Sequence, residues 1–215
     1  MAADSPAQSA LRPAVGLFGG RFDPVHRAHL ALAQNALASL HLDHVRWIVA
    51  GDPPHKDAIA SAEHRLAMVE RAVASMQDPR MVVDDREVRD AHSRGRTYTA
   101  DTLTALLQEF PNHRLVWLLG EDQLEGFTTW SRWQWLLQHM ELAVVRRPEV
   151  SSIAAQTILK AHGAKISWIT QPQDSISSTT VRSCIQNNAS IAELTPPAVV
   201  DYIQAHRLYQ TRQQP

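Results

Sequence analysis

Cysteine occurs once in the 215 residues, at Cys184. An intrachain disulfide and a multi-cysteine metal site are therefore excluded, and the lone thiol reads as a small core residue with no redox role. Glycine is scarce, eight in all, and aromatic residues make up 6%. Neither sign of charge is in excess: 21 Lys+Arg against 22 Asp+Glu leave a net charge of −1. Without a basic surplus, no nucleic-acid partner is expected. No apolar run approaches the ~20 residues that a membrane helix needs, so no membrane association is expected either. Residues 1–13 lack a charged start followed by an apolar stretch; they predict a loose polar arm rather than a signal peptide. Single-cysteine usage suits a reducing compartment, and the expected location is the cytoplasm.

The chain does have an ordinary apolar share, 44%, enough for one domain with a real core, expected over residues 14–210. Three of the few glycines fall together, at Gly16, Gly19 and Gly20, and two of the eleven histidines follow them, at His26 and His29. Glycine clusters where backbone bends sharply or approaches a ligand.

Short apolar runs alternate with helical patterns. Strands are predicted at Ala14–Phe18, Val45–Ala50, Met81–Val83, Leu115–Leu119, Leu142–Val145 and Ile166–Ile169. Helices are predicted at His29–Leu40, Ala62–Met76, Asp101–Glu109, Trp133–His139, Ile153–His162, Thr179–Gln186 and Pro197–Ala205. In Ala62–Met76, Leu66, Val69, Val73 and Met76 are spaced for one buried stripe. Thr99 is placed to cap Asp101–Glu109, and Gly163 to end the helix before it in a left-handed conformation. Gly51–Ala60 and Asp84–Thr97 read as long loops. This alternation implies βαβ units with right-handed crossovers: an α/β, doubly wound parallel sheet with closing C-terminal helices. Ligands of such sheets bind beyond the carboxyl ends of the strands, at the switch point.

The segment after the first strand, Gly19-Gly20-Arg21-Phe22-Asp23-Pro24-Val25-His26-Arg27-Ala28-His29, puts two histidines at i and i+3 where a helix begins. Free N–H groups and a positive dipole end suit phosphate there. The segment resembles the Gly-Gly-Ser/Thr-Phe-Asp-Pro-x-His-x-Gly-His opening of the nicotinate-mononucleotide adenylyltransferases, members of the HxGH nucleotidyltransferase superfamily. Arg21 and Ala28 depart from that pattern. The likeness continues through Pro53-Pro54-His55-Lys56, His64-Arg65-Leu66-Ala67-Met68, Tyr98-Thr99-Ala100-Asp101-Thr102-Leu103, Gly120-Glu121-Asp122, Phe127-Thr128-Thr129-Trp130, Arg146-Arg147-Pro148, Ile176-Ser177-Ser178-Thr179-Thr180-Val181-Arg182 and the Leu208-Tyr209 tail. One match alone is weak, but this ordered series is not.

The resemblance implies a Rossmann-like nucleotidyltransferase fold and the joining of nicotinate mononucleotide to the AMP part of ATP, giving deamido-NAD and pyrophosphate. Alternatives are another adenylyltransferase of the superfamily, acting on nicotinamide mononucleotide or pantetheine phosphate, and a non-catalytic nucleotide sensor. His26, His29 and Arg182 are the implied catalytic residues. Gly19, Gly20, Lys56, Ser178 and Thr179 are implied at the ATP phosphates, and Thr99, Thr102, Asp122 and Trp130 at the mononucleotide. Asp23 serves either as a helix cap or as a nucleotide contact, Arg146 is a further phosphate candidate, and Trp133 and Trp135 are expected to pack. No protein metal site is expected: the histidines lack the i, i+4 spacing of H-E-x-x-H, and Mg²⁺ would arrive with ATP.

Overall fold

The structure is a computed structural model, and it describes residues 12–51, 59–146, 151–170 and 176–210. Its strands are β1 (Ala14–Gly20), β2 (His44–Val49), β3 (Met81–Asp84), β4 (Arg114–Gly120), β5 (Glu141–Val145) and β6 (Ile166–Ile169). Its α-helices are α1 (Arg27–Ser39), α2 (Ala62–Met76), α3 (Arg86–Arg94), α4 (Thr99–Glu109), α5 (Trp133–His139), α6 (Ile153–Ala161), α7 (Ser178–Gln186) and α8 (Pro197–Ala205). Two 3₁₀ turns, Glu121–Gln123 and Phe127–Thr129, follow β4.

The strands form one sheet in the order β3-β2-β1-β4-β5-β6. This is the doubly wound order, in which the direction of winding reverses between β1 and β4. The ladders β1–β4, β4–β5 and β5–β6 are parallel, with Leu17 opposite Trp117, Leu118 opposite Ala143 and Val144 opposite Trp168. In β4 every residue after Arg114 is buried, as expected of a near-continuous apolar run covered on both faces.

The Cα framework divides into two compact units. Among the described residues, one comprises 12–19, 33–46 and 98–170, and the other 20–32, 47–51, 59–97 and 176–210. The first has Leu17, Leu106, Leu118, Leu119 and Phe127 fully buried; the second has Trp47, Met68, Val69 and Val199 in its core.

The expected α/β layout is the observed one, with three local corrections. The loop predicted at 84–97 contains α3. Its sequence, REVRDAHSR, offers no apolar stripe to read; Asp84 pairs with Arg86 at 2.7 Å, and Thr97 donates to the buried Glu87 at 3.1 Å. Thr99 does not cap α4: it is the first helical residue, and Tyr98 occupies the extended cap position with no side-chain hydrogen bond. Of the stripe expected in α2, Val69 and Val73 are buried and Leu66 and Met76 only half-buried; Arg65, Met68 and Ala72 complete the buried face instead. Gly163 ends α6 as expected, at φ 85°, with its N–H donating to the Lys160 carbonyl at 3.0 Å.

Candidate active site

The chain leaves β1 at Gly20 and turns through Arg21–Val25 before α1. Gly19 and Gly20 are therefore the end of a strand, not the turn itself. Phe22 lies in the turn at φ 52°, its ring edge-on to His29 at 5.1 Å and tilted against Trp47 at 5.5 Å.

The two histidines are organised by each other. Their rings stack with centroids 3.6 Å apart, and the His26 backbone N–H donates to His29 Nδ1 at 3.2 Å. With Nδ1 accepting, a neutral His29 ring carries its proton on Nε2, where it is a donor. His26 is buried and His29 half-buried. The first turn of α1 holds no acidic residue, so nothing on that turn cancels the positive end of the helix.

The Ser178–Arg182 segment is brought to the same turn. Ser177 caps α7, its Oγ accepting from the Thr180 N–H at 3.0 Å. Ser178 Oγ donates to the Pro24 carbonyl at 2.9 Å. Arg182 donates through Nη1 to the Asp23 carbonyl at 2.6 Å and through Nη2 to Thr179 Oγ1 at 3.2 Å. The starts of α1 and α7, at Arg27 and Ser178, thus share one backbone turn.

Asp23 does not cap α1. Its buried carboxylate accepts from the Tyr209 hydroxyl at 2.7 Å, the Ile59 N–H at 2.8 Å and the Ala60 N–H at 3.2 Å. Burial, then the Asp23 charge and hydrogen bond, raise the Tyr209 phenol far above its ordinary value, so it remains a donor. Arg65, 1% exposed, donates to the carbonyls of Arg21, Ala50, Gly51 and Ala60. Burial pulls its guanidinium below the usual value, and the Asp23 charge opposes that pull. Thr195, fully buried, donates to the Val25 carbonyl at 2.9 Å. Sequence reasoning assigned no role to Arg65, Thr195 or Tyr209. The one available signal was a charged residue in line with apolar ones: Arg65 precedes Val69 and Ala72 at helical spacing.

Gly19, Thr99, Thr102, Asp122 and Trp130 belong to the other compact unit. A Cβ on Gly19 would lie 2.3 Å from Cζ2 of Trp117, so an aromatic ring gives that glycine a reason of its own. Thr99 opens α4, and Thr102 is buried within it. Asp122 is exposed, in the 3₁₀ turn directly after β4. Its neighbour Glu121 is buried and accepts from Ser152 Oγ at 2.6 Å. Trp130 is half-buried; one face stacks on Phe127 at 4.9 Å, and it meets Trp117 edge-on at 6.1 Å. Arg146 lies over the Trp168 ring at 4.5 Å. Trp135 stacks on His139, and Trp133 meets His162 edge-on. Lys56 and His55 lie outside the described residues. Among the described residues, no group of three or more His, Cys, Asp or Glu is placed to hold a metal ion, and no helix is long and apolar enough to cross a membrane.

Residues 17–184 match the cytidylyltransferase-like family. A Pseudomonas paraeruginosa relative named nicotinate-nucleotide adenylyltransferase is 40% identical over 212 residues, covering 91% of this chain and 96% of its own. One of the same name from Bordetella petrii is 41% identical over 199 residues, covering 91% and 98%. The chain belongs to the nicotinate-nucleotide adenylyltransferase family. Among solved structures, Plasmodium falciparum nicotinic acid mononucleotide adenylyltransferase complexed with NaAD superposes with a TM-score of 0.75 at 20% identity, covering 92% of this chain and 97% of that one. That likeness is one of fold. Against the family pattern, Ala28 replaces a glycine inside α1, where no positive φ is required; the extra methyl group meets no backbone restriction.

Proposed function

We propose that this protein is an ATP:nicotinate-mononucleotide adenylyltransferase of NAD biosynthesis. A 5′-phosphate oxygen of the mononucleotide attacks the α-phosphorus of ATP. The new P–O bond joins the two nucleotides as deamido-NAD. The bond from the α-phosphorus to the oxygen bridging toward the β-phosphorus breaks, and pyrophosphate leaves with the electron pair. The nucleophile is already an anion, so no side-chain nucleophile or strong base is required; positioning and charge stabilisation carry the reaction.

The observation that carries this reading is the His26 N–H to His29 Nδ1 hydrogen bond, beside a turn held by α7. It presets His29 as an Nε2–H donor for charge developing on the α-phosphate. His26 and the starts of α1 and α7, with Thr179 and Arg182, supply the remaining positive field for the phosphates. Gly20 leads the backbone into the turn, and Lys56 adds a cation. ATP enters as its Mg²⁺ complex, with the ion held mainly by phosphate and water. For the mononucleotide we assign Asp122 to a ribose hydroxyl, Thr99 and Thr102 to polar contacts, and the face of Trp130 not covered by Phe127 to the ring. A cytoplasmic setting supplies ATP and suits a chain with one cysteine.

The test is pyrophosphate release with ATP and a panel of acceptors: nicotinate mononucleotide, nicotinamide mononucleotide and pantetheine phosphate. Turnover with the first, and much less with the others, is expected. Turnover with pantetheine phosphate alone would reassign the substrate, and none with any acceptor would favour a nucleotide sensor.

A further inference from the structure

We propose that Tyr209 is a positioning residue for adenylyl transfer, holding Asp23 and, through it, the backbone that carries His26 and His29. The proposal rests on the adenylyltransferase reading above.

The turn does not hold itself. Phe22 adopts a left-handed φ of 52°, a region that bulky residues enter only when the surroundings impose it. Arg65 holds the Arg21 carbonyl, and the C-terminal third holds the residues that follow. The carbonyls of Asp23, Pro24 and Val25 accept, one after another, from Arg182, Ser178 and Thr195. The Arg27 N–H donates to the Leu194 carbonyl at 2.9 Å. These clamps all act on main chain. Tyr209 acts on the turn through the Asp23 side chain, from 186 residues away.

Asp23 joins the two kinds of restraint. Its carboxylate, in a residue 2% exposed, takes one side-chain hydroxyl and two backbone N–H groups, while its carbonyl takes the Arg182 guanidinium. A buried carboxylate that loses a donor must reorient toward another or draw in water. Either response moves the residue on which Arg182 rests, three positions before His26. Tyr209 touches no substrate in this reading; it acts through Asp23. The burial that keeps its phenol protonated fits a permanent donor.

The experiment is steady-state pyrophosphate release, with thermal melting, on Tyr209→Phe and on Tyr209→4-aminophenylalanine, which keeps an N–H donor at that reach. Tyr209→Phe is expected to lose about tenfold or more in kcat, to change KM for either substrate by less than about threefold, and to melt within roughly 5 °C of wild type. The 4-amino variant is expected to recover most of the loss. A wild-type kcat in Tyr209→Phe overturns the proposal, as does equal loss in both variants, which would assign the effect to shape. If Tyr209→Phe does not fold, the 4-amino and 4-methoxy variants make the same comparison, and equal activity overturns it. A second measurement needs no turnover: the ¹⁵N resonance of His29 Nδ1. It is expected to shift in Tyr209→Phe. An unmoved resonance overturns the proposal even if the wild-type protein proves to use none of the three acceptors.

Discussion

Trp117 fills the space that a side chain at Gly19 would need. The parallel register sets Leu17 opposite Trp117, and a Cβ on Gly19 would come within 2.3 Å of Cζ2 and 2.8 Å of Cη2 of the indole. The indole is 2% exposed, and its Nε1–H has no hydrogen-bond partner among the described residues. The ring is therefore fixed by packing alone, between the end of β1 and the edge of Trp130.

Gly19→Ala is expected to destabilise the protein by about 1–3 kcal/mol through overpacking. Denaturant unfolding of Gly19→Ala, Trp117→Leu and the double variant checks the cause. If the clash is with the indole, adding Gly19→Ala to Trp117→Leu costs much less than adding it to wild type. Equal costs in both backgrounds would mean that Gly19 is needed for its backbone or for a ligand instead.

His29→Ala is expected to keep the fold and to lose ~10²–10³ in kcat, the usual cost of one preset donor to developing charge. His29 is half-buried on the first turn of α1, so its removal opens no deep cavity. The checks are a thermal melt and saturation kinetics. A folded His29→Ala protein with near-wild-type kcat would remove His29 from the chemistry and leave it a role in packing against Phe22.

The strands, the doubly wound class of the sheet and most helices were legible because continuous apolar runs and 3.6-residue periodicity report burial directly. The His26–His29 segment was legible because glycine is so scarce elsewhere. What the chain does not advertise is the long-range pairing of polar groups. Asp23 looks like a helix cap in its local sequence, and only the fold brings Tyr209 to it. Arg65 received no role from the sequence, yet it is buried because four carbonyls from three separate stretches converge on it. A polar helix such as α3 has no periodicity to betray it. For Gly19, scarcity marked the position, but the reason lies in a tryptophan of a neighbouring strand.

Arg182→Ala is expected to raise KM for ATP by about tenfold or more, and KM for the mononucleotide far less. Arg182 spans the Asp23 carbonyl and Thr179 Oγ1, so it ties the start of α7 to the histidine turn. Arg182→Lys keeps the charge but not the planar fork and is expected to recover only part of the loss. Equal increases in both KM values would point to a general defect of the fold rather than to the ATP site.

The last expectation is a preference for nicotinate over nicotinamide mononucleotide. The two differ by a carboxylate against a neutral amide. Stacking on Trp130 cannot separate them, because either ring presents the same face; the Phe127 stack leaves only one face of the indole for a ligand in any case. Discrimination must come from donors that meet an anion and from the absence of acceptors for an amide N–H. Backbone N–H groups at a helix start have that one-sided chemistry. The α4 start, where Tyr98 offers no side-chain cap, brings such donors to Thr99, and the carboxylate of Asp101 in the same turn works against them. A site that pairs an anion leaves its donors facing N–H when the amide enters, and the mismatch is expected to cost ~10² or more in kcat/KM. The measurement is kcat/KM for both mononucleotides under one set of conditions. Equal values, or a higher value for the amide, would remove the nicotinate assignment while leaving adenylyl transfer in place.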